Sequence, residues 1–135
     1  MEELGAAMIL MLDTSSSLCR AYLIGESISY EAEWEAGRGL AKGLLGFLAE
    51  TLSSQHKSWA DVSGLGVMRG PGSFTGLRIG ITVMNTLADA NNIPIVGAMG
   101  EDWIQDARGR LNRGENDKIV LPEYGGEANI TAPRK

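Results

Sequence analysis

The stretch Arg69-Gly70-Pro71-Gly72-Ser73-Phe74-Thr75-Gly76-Leu77-Arg78-Ile79-Gly80 decides how this chain is read. Before it, Leu65 to Met68 is a short apolar strand. After it, apolar residues recur at helical spacing from about Thr75 to Ala90, and Asn91-Asn92 ends that helix. Ile93-Pro94-Ile95-Val96-Gly97 follows as another strand, with its proline at the start, where no ladder donor is needed. Glu101 to Arg110 is one more short helix, and Gly109 to Lys118 is polar and loop-like. Strand, glycine-rich turn, helix, strand, helix is an α/β pattern with parallel strands.

Upstream the pattern is different. Met8 to Leu12 is a continuous apolar run, ended by the polar turn Asp13-Thr14-Ser15-Ser16-Ser17. Leu18 to Ile24 and Ser27 to Trp34 are two further strands, separated by Gly25-Glu26. Connections this short force an antiparallel three-stranded meander. Gly37-Arg38-Gly39 breaks the pattern, and Leu40 to Leu52 reads as a helix with a wide apolar arc. Ser53 to Ser63 is polar and loop-like. The whole reads as a mixed sheet covered by helices.

Two places look chemical. The turn from Arg69 to Gly76 aims backbone N–H groups and a helix dipole at one point, which suits an anion. The same sequence also serves as a tight strand–helix turn capped by Ser73 or Thr75. It is neither a Walker A loop, having no Lys-Ser/Thr after its last glycine, nor the dinucleotide fingerprint, because Gly72 and Gly76 are one residue too far apart. Asp13-Thr14-Ser15 at the end of the first strand suits a metal-bound phosphate, although such a carboxylate beside hydroxyls is more often an Asx or ST turn. A third feature concerns surface. In the helix from Thr75 to Ala90, Leu77, Ile81, Met84 and Ala88 form one apolar face, while Ile79, Val83, Leu87 and Ala90 with Gly76 and Gly80 form another. One face packs on the sheet. The other meets the helix from Leu40 to Leu52, or another protein.

Composition narrows the classes. The 135 residues suffice for one domain, which at this size buries roughly two-thirds of its surface without staples. One cysteine, Cys19, and one histidine, His56, leave no disulfide framework and come close to excluding a zinc site. Cys19 is expected to be buried and inert, and His56 to lie on the surface. A net charge of −5 gives no basic footprint for nucleic acid. Glu2-Glu3 has the wrong sign for a signal peptide, and the run from Ala6 to Leu12 is too short to span a membrane. A reducing, cytoplasmic setting is the expectation.

Met8 to Asp13 with Thr14-Ser15, Gly70 to Gly80, and Ile93 to Gly97 together resemble the TsaB (YeaZ) family, accessory subunits of bacterial tRNA threonylcarbamoyladenosine synthesis. The resemblance covers about residues 8 to 105, and Leu121-Pro122-Glu123-Tyr124 through Thr131-Ala132-Pro133 is similar to the family's C-terminal end. It implies the ribonuclease-H-like (ASKHA, actin-like ATPase) fold, here a single lobe with a mixed five-stranded sheet. Residues 1–105 are then the lobe. Residues 106–118 are a short loop where the family usually carries a second domain, and 119–135 are a tail.

The resemblance implies a non-catalytic subunit with no cofactor and no metal. Its partner is a TsaD-type threonylcarbamoyltransferase, joined by a TsaE-type ATPase, with no direct tRNA binding by this chain alone. A one-lobe chain is not expected to hydrolyse ATP, since that fold's nucleotide site lies between two lobes. Peptidase activity is not expected, because the catalytic homologue's metal site uses a histidine pair and this chain has His56 alone. Carried over, the partner interface is Leu40, Gly43, Leu44, Phe47, Gly76, Ile79, Gly80, Val83 and Leu87. The signature loop is Arg69, Gly70, Pro71, Gly72, Ser73, Phe74, Thr75, Gly76 and Arg78, and Asp13, Thr14 and Ser15 are a vestigial phosphate site. Two other readings stand beside this one: a small nucleotide- or anion-binding protein, and a homodimeric module using the same helices on itself.

Overall fold

The computed structural model describes residues 8–123. The elements follow in the order β1 (Ile9–Asp13), β2 (Leu18–Ile24), β3 (Ser29–Glu35), α1 (Leu40–Ser54), β4 (Gly64–Gly70), α2 (Phe74–Asn91), β5 (Ile95–Met99) and α3 (Trp103–Asn112). One five-stranded sheet has the order β3-β2-β1-β4-β5. β1 to β3 form the expected antiparallel meander, and β1, β4 and β5 run parallel. Parallel neighbours need a crossover, and α1 and α2 supply the two crossovers.

Register explains the layers. Leu10 pairs with Leu23 and Leu65, and Leu12 with Ala21 and Val67, so these side chains share one face. All six are fully buried, and α1 and α2 cover them with Leu44, Leu48, Leu77, Ile81 and Met84. The other face carries Met11 and Tyr22, and α3 lies over its β4–β5 side. There Trp103 is buried, meeting the Tyr22 ring edge-on at 6.1 Å, and Ala107 and Leu111 pack against Gly66 and Gly64. About a leucine's worth of burial stabilises by roughly 1.5–3 kcal/mol, so the two-sided core needs no crosslink. Cys19 is buried as expected, and burial together with the Asp13 charge pushes its thiol up to about 12.

Several boundaries differ from the sequence reading. α1 runs two residues beyond Leu52, to Ser54. β3 is Ser29–Glu35 rather than Ser27 to Trp34, and the polar stretch after α1 contains a 3-10 turn, Trp59–Asp61, capped by Ser58. β4 runs from Gly64 to Gly70, longer than Leu65 to Met68, and β5 starts only at Ile95. α3 starts at Trp103 rather than Glu101 and ends at Asn112, two residues beyond the expected Arg110, so the stretch 106–118 is a loop only after Asn112. Trp103, Ala107 and Leu111 stand at i, i+4 and i+8 and keep one apolar stripe on the sheet, which carries the helix past Gly109. Residues 1–7, with Glu2-Glu3, and 124–135, the greater part of the expected tail, lie outside the described residues.

Candidate functional site: a docking face seated by the glycine-rich turn

The glycine-rich turn carries α2 from β4 onto the end of β1. The Gly70–Pro71 peptide is cis. Ser73 caps α2, its Oγ accepting from Gly76 N at 3.2 Å, as expected. Ser73 N donates to Ser15 O at 2.7 Å. Thr14, fully buried, donates from Oγ1 to Gly76 O at 2.7 Å. A Cβ added at Gly76 would strike Thr14 O, and one at Gly80 would strike Thr14 Oγ1. These two glycines therefore let the helix backbone lie directly on β1, closer than any side chain permits.

This geometry bears on Asp13, Thr14 and Ser15. The structure brings them beside the turn. Asp13 Oδ1, however, accepts from Ser15 N (2.8 Å) and Ser15 Oγ (2.6 Å), an Asx turn closed by the serine hydroxyl. The Thr14 hydroxyl donates into α2. Their polar atoms join the turn to the strand.

The expected interface residues divide. Leu40, Leu44, Gly76 and Gly80 are buried within the chain and offer no surface. This corrects the expectation, because those positions form the side of each helix that meets the sheet. Gly43 and Phe47 are half-buried but lie on the β3 flank of α1, around the Trp34 ring, which is 5.4 Å from Phe47. Ile79 and Val83 do line an open groove between the two helices, and Leu87 is half-buried one turn further along α2.

That groove, about 430 Å³, is bounded by Ala41, Phe74, Thr75, Arg78, Ile79, Thr82 and Val83. Phe74 is 54% exposed, with the Arg78 guanidinium 5.3 Å from its ring centroid, and Leu45 is 55% exposed on α1. Ala41 and Leu45 were missed. The apolar arc of α1 was read as one face, and the sheet takes up its Leu40–Leu44–Leu48 side.

Residues 115–123 fold back onto β4, β5 and α2, with Asp117 N donating to Ile95 O (2.7 Å) and Glu123 N to Arg69 O (3.0 Å), and side chains add to these main-chain bonds. Asn85 clamps Val120, with Nδ2 donating to Val120 O (3.0 Å) and Oδ1 accepting from Val120 N (2.9 Å). Arg69, expected in the signature loop, reaches this segment: Nε donates to Leu121 O at 2.8 Å, and Glu123 Oε1 is 3.7 Å from Nη2. The free edge of β5 is capped. Asn116 Oδ1 accepts from Ile95 N (3.1 Å), Asp117 Oδ2 from Gly97 N (2.9 Å), and Arg110 Nη1 donates to Gly97 O (2.9 Å). Arg110 also pairs with Asp117 and with Glu115. Burial pushes the Asp117 carboxyl up, but the Arg110 hydrogen bond, the Gly97 amide and the charges of Arg110 and Arg69 outweigh it, so the group sits below its ordinary value. Hydrogen bonds from Arg110 and Arg113 lower Glu115 as well.

Among the described residues no group of three or more His, Cys, Asp or Glu side chains is placed to hold a metal ion. No helix among them is long and apolar enough to cross a membrane.

Comparison with known proteins agrees with this architecture. Residues 34–99 match the family described as "TsaD: tRNA N6-adenosine threonylcarbamoyltransferase". The "tRNA threonylcarbamoyladenosine biosynthesis protein TsaB" of Haemophilus influenzae is 30% identical over 80% of this chain and 46% of its own length. The protein of the same name from Escherichia coli is 33% identical over 66% of this chain and 38% of its own. The solved structure "YeaZ from Pseudomonas aeruginosa" superposes with a TM-score of 0.66 at 30% identity, covering 80% of this chain and 50% of that one. The chain thus spans about half the length of the relatives it matches or less. The mixed five-stranded sheet with its helices is the ribonuclease-H-like (ASKHA) architecture of these neighbours, and the chain belongs to the TsaB (YeaZ) family.

Proposed function

We propose that this chain is a non-catalytic docking lobe that pairs with a TsaD-type threonylcarbamoyltransferase in tRNA threonylcarbamoyladenosine modification. The observation that carries this reading is the α1–α2 groove, where Phe74, Ile79 and Val83 line an apolar channel, and the exposed Leu45 stands one helical turn along α1 from the groove residue Ala41. Two large apolar side chains more than half exposed next to one groove are the anchors that protein interfaces bury. The turn's polar groups support the same reading. Thr14, Ser15 and Ser73 hold α2 in place, which gives the docking helix a fixed seat. The partner is a protein surface with an apolar ridge, and a TsaE-type ATPase joins the pair.

The test is co-elution with the TsaD-type protein of the same source, measured by light scattering on a size-exclusion column. Leu45→Glu and Val83→Glu each abolish the mixed complex while circular dichroism shows a folded chain. Complex formation at full strength in both variants would remove the groove as the interface. No mixed complex with the unaltered chain, at any concentration, would remove the partner.

A further inference from the structure

We propose that the β3 edge and the groove beside it bind an extended basic segment of a partner protein by strand addition. This surface is separate from the α1–α2 groove and does not depend on it. The sheet ends at β3. Gly25 N donates to Ile28 O (2.9 Å), and Ala36 N to Ser17 O (3.1 Å). With the β2–β3 register, these bonds make Leu23–Tyr30, Ala21–Ala32 and Cys19–Trp34 the hydrogen-bonded pairs. The backbone N–H and C=O groups of Ser29, Glu31, Glu33 and Glu35 therefore point outward, along an edge with no strand beyond it among the described residues. The opposite edge differs, because Asn116, Asp117 and Arg110 cap β5.

Two features state what fits. On the α1 side, Tyr30, Ala32 and Trp34 face Gly43, Gly46, Phe47 and Glu50 across a groove of about 590 Å³. The Trp34 ring lies against Gly43, where an added Cβ would come within 2.7 Å of it, and no atom lies within 4 Å of one added at Gly46. On the other side, Glu31, Glu33 and Glu35 stand in a row, and Arg20 reaches two of them, its Nε 3.1 Å from Glu33 and 3.9 Å from Glu31. A strand added to this edge drops alternate side chains into the groove and sets the others over the glutamates. The fitting sequence alternates apolar residues with lysine or arginine. A second copy of this chain does not fit, because antiparallel β3–β3 pairing sets glutamate against glutamate.

The probe is the peptide Lys-Phe-Lys-Val-Lys-Phe-Lys, titrated into the full labelled chain by NMR. Amide shifts at Glu31, Glu33 and Glu35 and at Gly46, with about a tenfold loss of affinity from low salt to half-molar salt, are expected. Glu33→Pro removes an outward N–H without removing a β2–β3 bond, and binding is lost. Should that variant unfold, Glu31→Lys with Glu33→Lys tests the same point through charge, again with binding lost. Several outcomes overturn the proposal: no shift at millimolar peptide, equal binding of the glutamate counterpart, or shifts at Phe74 and Val83 instead. So do a self-dimer broken by Glu33→Pro, and binding that appears only after residues 124–135 are deleted.

Discussion

Gly80→Ala separates the two demands that meet in α2. In an exposed helix interior this change stabilises by about 1 kcal/mol. Here the new Cβ would strike Thr14 Oγ1, lie 2.9 Å from Cγ2 and 3.1 Å from Cβ. Thr14 is fully buried, and its hydroxyl is committed to Gly76 O at 2.7 Å. Relief requires Thr14 to turn away from that bond or α2 to lift from β1. Overpacking costs about 1–3 kcal/mol, and a lost buried hydrogen bond about 1–2 kcal/mol. Set against the propensity gain, Gly80→Ala destabilises the chain by about 2 kcal/mol. In a Thr14→Ala background Oγ1 and Cγ2 are gone, and only the Cβ contact at 3.1 Å remains, a matter of a few tenths of an ångström. There Gly80→Ala is about neutral or slightly stabilising. The coupling between the two sites is thus about 2 kcal/mol. Urea unfolding of the four proteins, followed by circular dichroism, measures it. Equal effects of Gly80→Ala in both backgrounds would refute the claim that Thr14 is what holds position 80 as glycine.

Three further outcomes follow from neighbouring geometry. Leu44→Glu places a carboxylate in the fully buried core and leaves no folded monomer, whereas its sequence neighbour Leu45→Glu, on an exposed side chain, shifts stability by less than about 0.5 kcal/mol; thermal unfolding of both checks this. Asp117→Asn removes the charge from the Arg110 pair at the β5 edge and costs about 1–2 kcal/mol at neutral pH. The wild-type carboxyl is depressed in the folded chain, so its contribution is complete above the unfolded value near 4 and is lost as pH falls through the folded value. The gap between the two proteins in denaturant therefore narrows as pH falls from about 4 through the depressed folded value, and a gap that stays constant over that fall contradicts the assignment. Cys19, with its thiol pushed to about 12 by burial, reacts with a thiol-alkylating reagent at pH 8 only in denaturant, and prompt labelling of the native chain would show the strand to be open.

The elements were legible because each carries its own local signal. A continuous apolar run gives β1, short polar turns give the meander, and 3.6-residue spacing gives α1 and α2. The glycine-rich turn was legible as a strand–helix junction, and Ser73 as its cap. Its glycines did not reveal their purpose. From sequence the turn suits an anion as well as a close approach, and the deciding atom, the Thr14 hydroxyl, lies 62 residues away from Gly76 in the chain. The continuation of α3 to Asn112 had a signal in Trp103, Ala107 and Leu111, which Gly109 obscured.

The sequence by itself determined the strand directions, the helix positions and the family, since these rest on periodicity, connection length and a contiguous motif. Only the tertiary structure decided which side of each helix is surface. Leu44 and Leu45 have the same chemistry and adjacent positions, yet one is fully buried and the other is 55% exposed. Rotation of a helix about its axis is set by what it packs against, and α2 takes its orientation from Thr14 on β1. The two sheet edges follow the same rule. β5 is capped by Arg110, Asn116 and Asp117 reaching back from beyond it in the chain, while no strand among the described residues covers the edge of β3. Such pairings form between groups distant in sequence, and a local pattern does not encode them.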